Sequence, residues 1–161
     1  MKTELFVATR DQFNIIKEIV IKTISSIYPK YYPKGAVEFF LAHHSDKNIM
    51  DAIDRQEVYL LRSENSYVGT GGVKENEINR LFILPEYQGK GYGTKMMDKL
   101  EAIILKEYND IILDASLPAY EMYIKRGYIP IDYHKILTQY GDYLCYHVMK
   151  LELSHSKKPI T

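Results

Sequence analysis

The stretch Glu77–Thr94, EINRLFILPEYQGKGYGT, constrains the fold of this chain more than any other. Its first half reads as a strand, Asn76 to Leu84, stopped by Pro85. Its second half alternates Gly89, Gly91 and Gly93 into a helix expected from about Gly91 to Glu107. Met96, Met97, Leu100, Ile103 and Ile104 form the apolar stripe of that helix. Glycine lets a backbone turn tightly and approach a ligand without Cβ interference. A helix start offers free N–H groups and a positive dipole end, so phosphate or pyrophosphate is the natural guest. Lys90 adds a positive charge to the same loop. A nucleoside-triphosphate loop needs GxxxxGK and then Ser or Thr, which is absent. The dinucleotide fingerprint needs GxGxxG; here the pattern is GxGxG and follows a meander, which argues against NAD or FAD. A glycine-rich helix entry without a ligand, or an unrelated phosphate-binding module, stays open on these residues alone.

The flanking sequence sets the fold class. A strand from Leu5 to Thr9 leads into a capping box, Thr9-Arg10-Asp11-Gln12, and a helix reaching Ile27. A second helix is expected over Ala36 to His44 and a short helical turn over Asn48 to Asp54. Glu57 to Arg62 and Tyr67 to Val73 read as a hairpin that the Asn76 strand extends. After the long helix come a buried strand, Asp110 to Asp114, and a helix N-capped by Ser116 and closed by Lys125-Arg126-Gly127. Two strands, Tyr128 to His134 and Tyr143 to Leu153, complete a single domain over residues 1–153, with Ser154 to Thr161 expected as a frayed polar tail. The expected order is β-α-α-β-β-β-α-β-α-β-β: a mixed α/β fold with a mostly antiparallel sheet and about four helices.

Composition excludes several functions. Lys plus Arg and Asp plus Glu each number 21, so there is no basic excess for sequence-blind nucleic-acid binding. The single cysteine, Cys145, allows no internal disulfide and argues against a cysteine-based zinc site; no metal is expected. No apolar run approaches the ~20 residues of a membrane helix, and the first residues lack a signal-peptide pattern, so a cytoplasmic setting is expected. His43 and His44 read as a surface pair at a helix end. Tyr28, Tyr31, Tyr32, Tyr133, Tyr140 and Tyr143 read mainly as amphipathic loop fillers, although tyrosine faces can hold an ammonium.

Gln88-Gly89-Lys90-Gly91-Tyr92-Gly93 resembles the Q/R-x-x-G-x-G/A signature of the GNAT acetyltransferase superfamily. Ala119, Tyr123 and the Gly127-Tyr128 pair are similar to a second signature of that family, and element order agrees from Leu5 to Leu153. The resemblance implies that the loop Gln88 to Thr94 (Gln88, Gly89, Lys90, Gly91, Tyr92, Gly93, Thr94) binds the pyrophosphate of acetyl-CoA. It implies that Leu81, Phe82 and Ile83 pair their backbone with the pantetheine arm, and that one N–H there polarises the thioester carbonyl. Tyr123 takes the place of a catalytic acid beside the cofactor sulfur, and Glu77 that of a strand glutamate acting as base. In a regular strand Glu77, Asn79, Leu81 and Ile83 share one face. Ser116 stands where many members have a cofactor-contacting Asn.

The activity so implied is N-acetyl transfer from acetyl-CoA to a primary amine by direct attack in a ternary complex. A small-molecule amine is expected as acceptor rather than a protein N-terminus, and a homodimer is left open. The alternative is a non-catalytic acyl-CoA-binding or sensing domain, which would keep the glycine loop and lose the acid.

Overall fold

A computed structural model describes residues 2–153; the tail expected from Ser154 to Thr161 lies outside the described residues. Strand β1 (Thr3–Val7) is followed by a turn of 3-10 helix, Arg10–Gln12, and helix α1 (Phe13–Ile27). The capping box forms there, with the Thr9 N–H donating to Gln12 Oε1 at 3.0 Å. Next come α2 (Lys34–His43) and α3 (Asp46–Asp54). The region expected as a short turn is thus a nine-residue helix. The Ser45 hydroxyl caps α3 by accepting from the Asn48 N–H at 3.2 Å, and Ile49, Ala52 and Ile53 bury its inner side.

An antiparallel meander follows: β2 (Val58–Ser63), β3 (Ser66–Lys74) and β4 (Glu77–Ile83). The long helix α4 (Tyr92–Ile104) crosses over to β5 (Asp110–Ala115). A 3-10 turn, Leu117–Ala119, then leads to the short α5 (Tyr120–Lys125) and the hairpin β6 (Ile129–Leu137) and β7 (Tyr143–Glu152). The seven strands lie in the order β1-β2-β3-β4-β5-β7-β6. Only the β4–β5 pair is parallel, as its helical crossover requires.

The sheet separates two apolar layers. Ile16, Ile19, Val20 and Ile24 of α1 pack with Leu60 and Phe82 on one side. Met96, Met97, Leu100 and Ile104 of α4 pack with Leu61, Val68, Ile78 and Leu113 on the other. Each such side chain contributes roughly 1.5–3 kcal/mol by leaving water. Arg126 ties α5 to α4, donating to Glu101 at 2.7 and 3.0 Å and to Asp98 at 2.8 Å. It therefore meets carboxylates of the neighbouring helix as well as standing at the negative end of its own. Gly127, with φ 97°, supplies the left-handed residue just past that end.

Strand β4 changes face midway. Gly72 pairs with Asn79 and Thr70 with Phe82, so Arg80 and Leu81 together oppose the single residue Gly71. Arg80 absorbs the extra residue with φ 51°, a left-handed conformation unusual for a side chain of its size. A Cβ on Gly71 would come within 2.9 Å of Leu100, so the strand opposite the bulge lies close under α4. The bulge reverses the alternation: Ile78 packs in the α4 layer, whereas Phe82 packs in the α1 layer. Leu81 and Ile83 also pack in the α4 layer. The expected common face of Glu77, Asn79, Leu81 and Ile83 is therefore wrong, because Glu77 and Asn79 precede the bulge and point to the α1–α2 side.

The same strand separates from its neighbour. β4 and β5 share one pairing, Glu77 with Ile112. It is reinforced by Ile112 N–H donating to Asn76 O at 3.0 Å and by Asn76 Nδ2 donating to Asp110 at 3.0 Å. Beyond it β5 continues against β7 to Ala115, and the sheet opens between β4 and β5.

Candidate active site

A cavity of about 310 Å³ occupies that opening. Its walls are β4 from Glu77 to Phe82, the end of β5 from Asp114 to Ser116, the end of α2, Tyr123 of α5, and Tyr146 of β7.

Past the end of β4, outside the cavity lining, lies the glycine loop. Gly89 has φ 73°, and Gly91 has φ 88° at the N-cap of α4. A Cβ on Gly89 would meet nothing within 4 Å, so backbone conformation rather than space demands glycine there. Gln88, Gly89, Lys90 and Gly91 are all exposed, and the first N–H groups of α4 have no partner within the helix. The Gln88 side chain turns inward and donates to Ile83 O at 2.9 Å, fixing the loop to the end of β4. Tyr92 also turns inward, its hydroxyl donating to Ser63 Oγ at 3.0 Å, so it offers the loop only its backbone. Lys90 lies 5.8 Å above the Tyr87 ring, and Thr94 is exposed on the first helical turn. The charge and geometry suit an anion.

The backbone of β4 supplies the next wall. Leu84 N–H donates to Val68 O in β3. By alternation, Leu81 and Ile83 turn their N–H and C=O groups away from β3, the Ile83 carbonyl being taken by Gln88, whereas Phe82 is bonded toward β3 and buries its ring.

Tyr123 is 4% exposed and lines the cavity. Burial, then the neighbouring Tyr28, pushes its hydroxyl well above the ordinary tyrosine value, so it stays protonated. Ser116 occupies the N-cap position, but its hydroxyl makes no capping bond; Ala119 N–H instead donates to its carbonyl at 3.1 Å. The Ser116 side chain faces the Tyr28 hydroxyl, which burial pushes upward against the lowering effect of Ser116. Glu77 lines the opposite part of the cavity. Its carboxyl is raised by burial and by the charge of Asp114, against an Asn79 hydrogen bond that lowers it. Asp114 is raised as well, mainly by burial.

Other lining residues escaped the sequence. His44 is 6% exposed and not a surface residue, because α2 folds its last turn onto Phe82, whose ring meets the imidazole edge-on at 5.2 Å. Its Nδ1 accepts from Arg80 Nη1 at 3.1 Å. Burial and the Arg80 charge push His44 down to about 3, so the ring is neutral. Tyr28 and Tyr32 are core residues rather than loop fillers, meeting the Phe40 ring edge-on at 4.8 Å and at a tilt at 5.1 Å. Tyr32 also accepts the Leu117 N–H at 2.7 Å. Tyr31, Tyr133, Tyr140 and Tyr143 are exposed and do not line the cavity. The signal that could have located His44 is the apolar run Ala36 to Leu41, which needs a buried helix end.

Comparison with protein families matches residues 27–153 to the acetyltransferase (GNAT) domain. The chain belongs to the GNAT acetyltransferase family. The match covers every element of the GNAT cavity and omits only β1 and most of α1. Comparison with curated protein sequences gives no match. Solved structures share the fold. A GCN5-related N-acetyltransferase from Rhodopseudomonas palustris is 21% identical over 95% of this chain and 97% of its own, with a TM-score of 0.86. The PaiA N-acetyltransferase from Thermoplasma acidophilum, solved with coenzyme A, is 17% identical over 95% and 100%, with a TM-score of 0.73. YncA from Salmonella typhimurium, solved with its cofactor acetyl-CoA, is 12% identical over 99% of both chains, with a TM-score of 0.72. At such identities these likenesses establish the fold. Among the described residues no helix is long and apolar enough to cross a membrane.

Proposed function

We propose that this GNAT domain transfers an acetyl group from acetyl-CoA to a primary amine of a small molecule, by direct attack in a ternary complex. The observation that carries this reading is one cavity that takes in both Tyr123 and Glu77, beside the gap where β4 and β5 no longer pair. Gln88 to Thr94 would hold the pyrophosphate through backbone N–H groups, with Lys90 adding charge. Leu81 and Ile83 would pair with the pantetheine arm as a missing strand would, and Ser116 would reach the same arm from β5. Acetyl-CoA, when bound, supplies an acetyl group activated as a thioester.

The chain's residues then manage two protons. An amine with a pKa near 10.4 arrives protonated and must lose a proton before it attacks. Glu77, with its carboxyl raised by burial and Asp114, is matched to accept that proton directly or through water. Tyr123, kept protonated by burial, donates to the departing thiolate. A backbone N–H of β4 in the gap polarises the carbonyl without needing a side chain.

Thermal melting with acetyl-CoA, CoA, ADP and NAD tests the cofactor. A ligand at 100 times its Kd adds about 2.7 kcal/mol, a rise of several degrees. A shift with acetyl-CoA and CoA, weaker with ADP and absent with NAD, is expected; an amine panel followed by thiol release then tests turnover. No shift at millimolar acetyl-CoA withdraws the assignment. Binding without turnover of any amine favours an acyl-CoA sensor instead.

A further inference from the structure

Arg80 has no role in the chemistry above, yet it is the most unusually placed residue of the cavity. It holds a left-handed φ of 51° at the point where β4 bulges, a conformation that persists only where surrounding structure enforces it. Its side chain is partly buried and lines the cavity. Among the described residues it makes no ion pair, and the nearby Glu57 is engaged by Arg55. Its hydrogen-bond partner is His44, a neutral ring that accepts from Nη1 and brings no counter-charge, while Glu57 and Glu77 act on the guanidinium without pairing with it. A partly desolvated cation with no directly paired counter-ion gains when a ligand supplies one. The remaining N–H donors of a guanidinium form a planar fork that matches a carboxylate.

We propose that Arg80, oriented by His44, is a carboxylate-binding subsite of the acyl-transfer cavity, so that a substrate brings a carboxylate as well as its reacting group. This rests on the acetyltransferase reading above. The acidic pair Glu77 of β4 and Asp114 of β5 lines the same cavity and would draw the ammonium end of a zwitterion, leaving its carboxylate for Arg80. An amino-acid-like acceptor is therefore the expected source. A carboxylated acyl group on the CoA thioester would use the same fork.

The binding arm uses CoA-saturated protein and follows the arginine Nε–H and histidine ring signals by NMR. Titration with propionate is expected to shift the Arg80 and His44 signals saturably, whereas propionamide leaves them in place. Equal or absent responses to the two probes overturn the proposal, whether or not any amine is acetylated. If CoA fails to bind, the same titration on the free chain still decides the subsite, so the two readings fail separately.

The kinetic arm compares amino acids with the amines lacking their carboxylate, using acetyl-CoA and then succinyl-CoA. Preference for carboxylated acceptors, falling about 10–10²-fold in Arg80→Gln and partly restored in Arg80→Lys, assigns the carboxylate to the acceptor. The same fall confined to succinyl-CoA assigns it to the acyl group. His44→Leu, a positioning variant, should lower the same preference ratio through KM with little change in kcat. Melting curves confirm that each variant is folded. A ratio unchanged in folded Arg80→Gln overturns the proposal.

Discussion

The two sides of the candidate site are built on different principles. The outer wall, from Ile83 through the glycine loop into α4, lies beyond the residues that line the cavity and offers mainly backbone: left-handed glycines, unpaired N–H groups and a helix end. The inner wall, from Glu77 to Arg80 with the end of α2, offers side chains whose charge states depend on one another. Backbone recognition tolerates varied side chains provided the conformation is kept. Side-chain recognition depends on each residue and on partners far away in sequence. On the proposed function, the contrast would separate a cofactor wall that serves any acceptor from an acceptor wall particular to this chain.

Breaking each wall should have a different signature. The largest effect belongs where they meet: Tyr123→Phe is expected to lower kcat by roughly 10²–10⁴ while CoA still raises the melting temperature. A normal rate would remove Tyr123 as the acid. Glu77→Gln should cost about 10² in rate and flatten the acid limb of the pH–rate profile. Because Asp114 raises the Glu77 carboxyl, Asp114→Asn should lower its pKa and move that limb to more acid pH. A limb that stays in place would show that another group titrates there.

On the outer wall, Gly91→Ala forces a Cβ into φ 88° and should cost about 1 kcal/mol in denaturant unfolding. It should weaken CoA binding while leaving the acid limb of the rate profile in place. A smaller effect sharpens the inner wall. His44 is neutral in the fold with a pKa near 3, whereas the unfolded chain takes up its proton near pH 6.5. Its contribution is fully present above pH 6.5 and is lost as pH falls toward the folded value, up to about 2 kcal/mol at pH 5. His44→Gln should therefore melt with a shallower decline between pH 7 and 5 than the parent chain. Parallel curves would mean that His44 is protonated in the fold.

Much of the fold was legible because its signals are local. The capping box at Thr9, the stop at Pro85, the stripe of α4 and the C-cap at Gly127 each follow from residues within a turn or two. The underestimate of α3 has the opposite cause: its polar outer face, Asp46 to Asp54, gives a weak pattern, and packing of Ile49 and Ile53 against the core decides the helix. The glycine loop was legible for the same reason as the caps. Glu77 and Tyr123 were found through family resemblance, and their shared cavity appears only in three dimensions.

The sequence by itself determined most of the element types and the strand-to-helix glycine junction, because these depend on neighbours along the chain; the acid and base candidates came from the family resemblance. The bulge at Arg80 was decided by tertiary structure, since an extra residue in one strand is defined only by its partner. Through it β4 reverses its faces, so that Leu81 and Ile83 pack in the α4 layer and Phe82 in the α1 layer. The burial of His44 against Phe82 was decided in the same way. Thirty-six positions separate His44 from Arg80, and no local pattern encodes a hydrogen bond across that span.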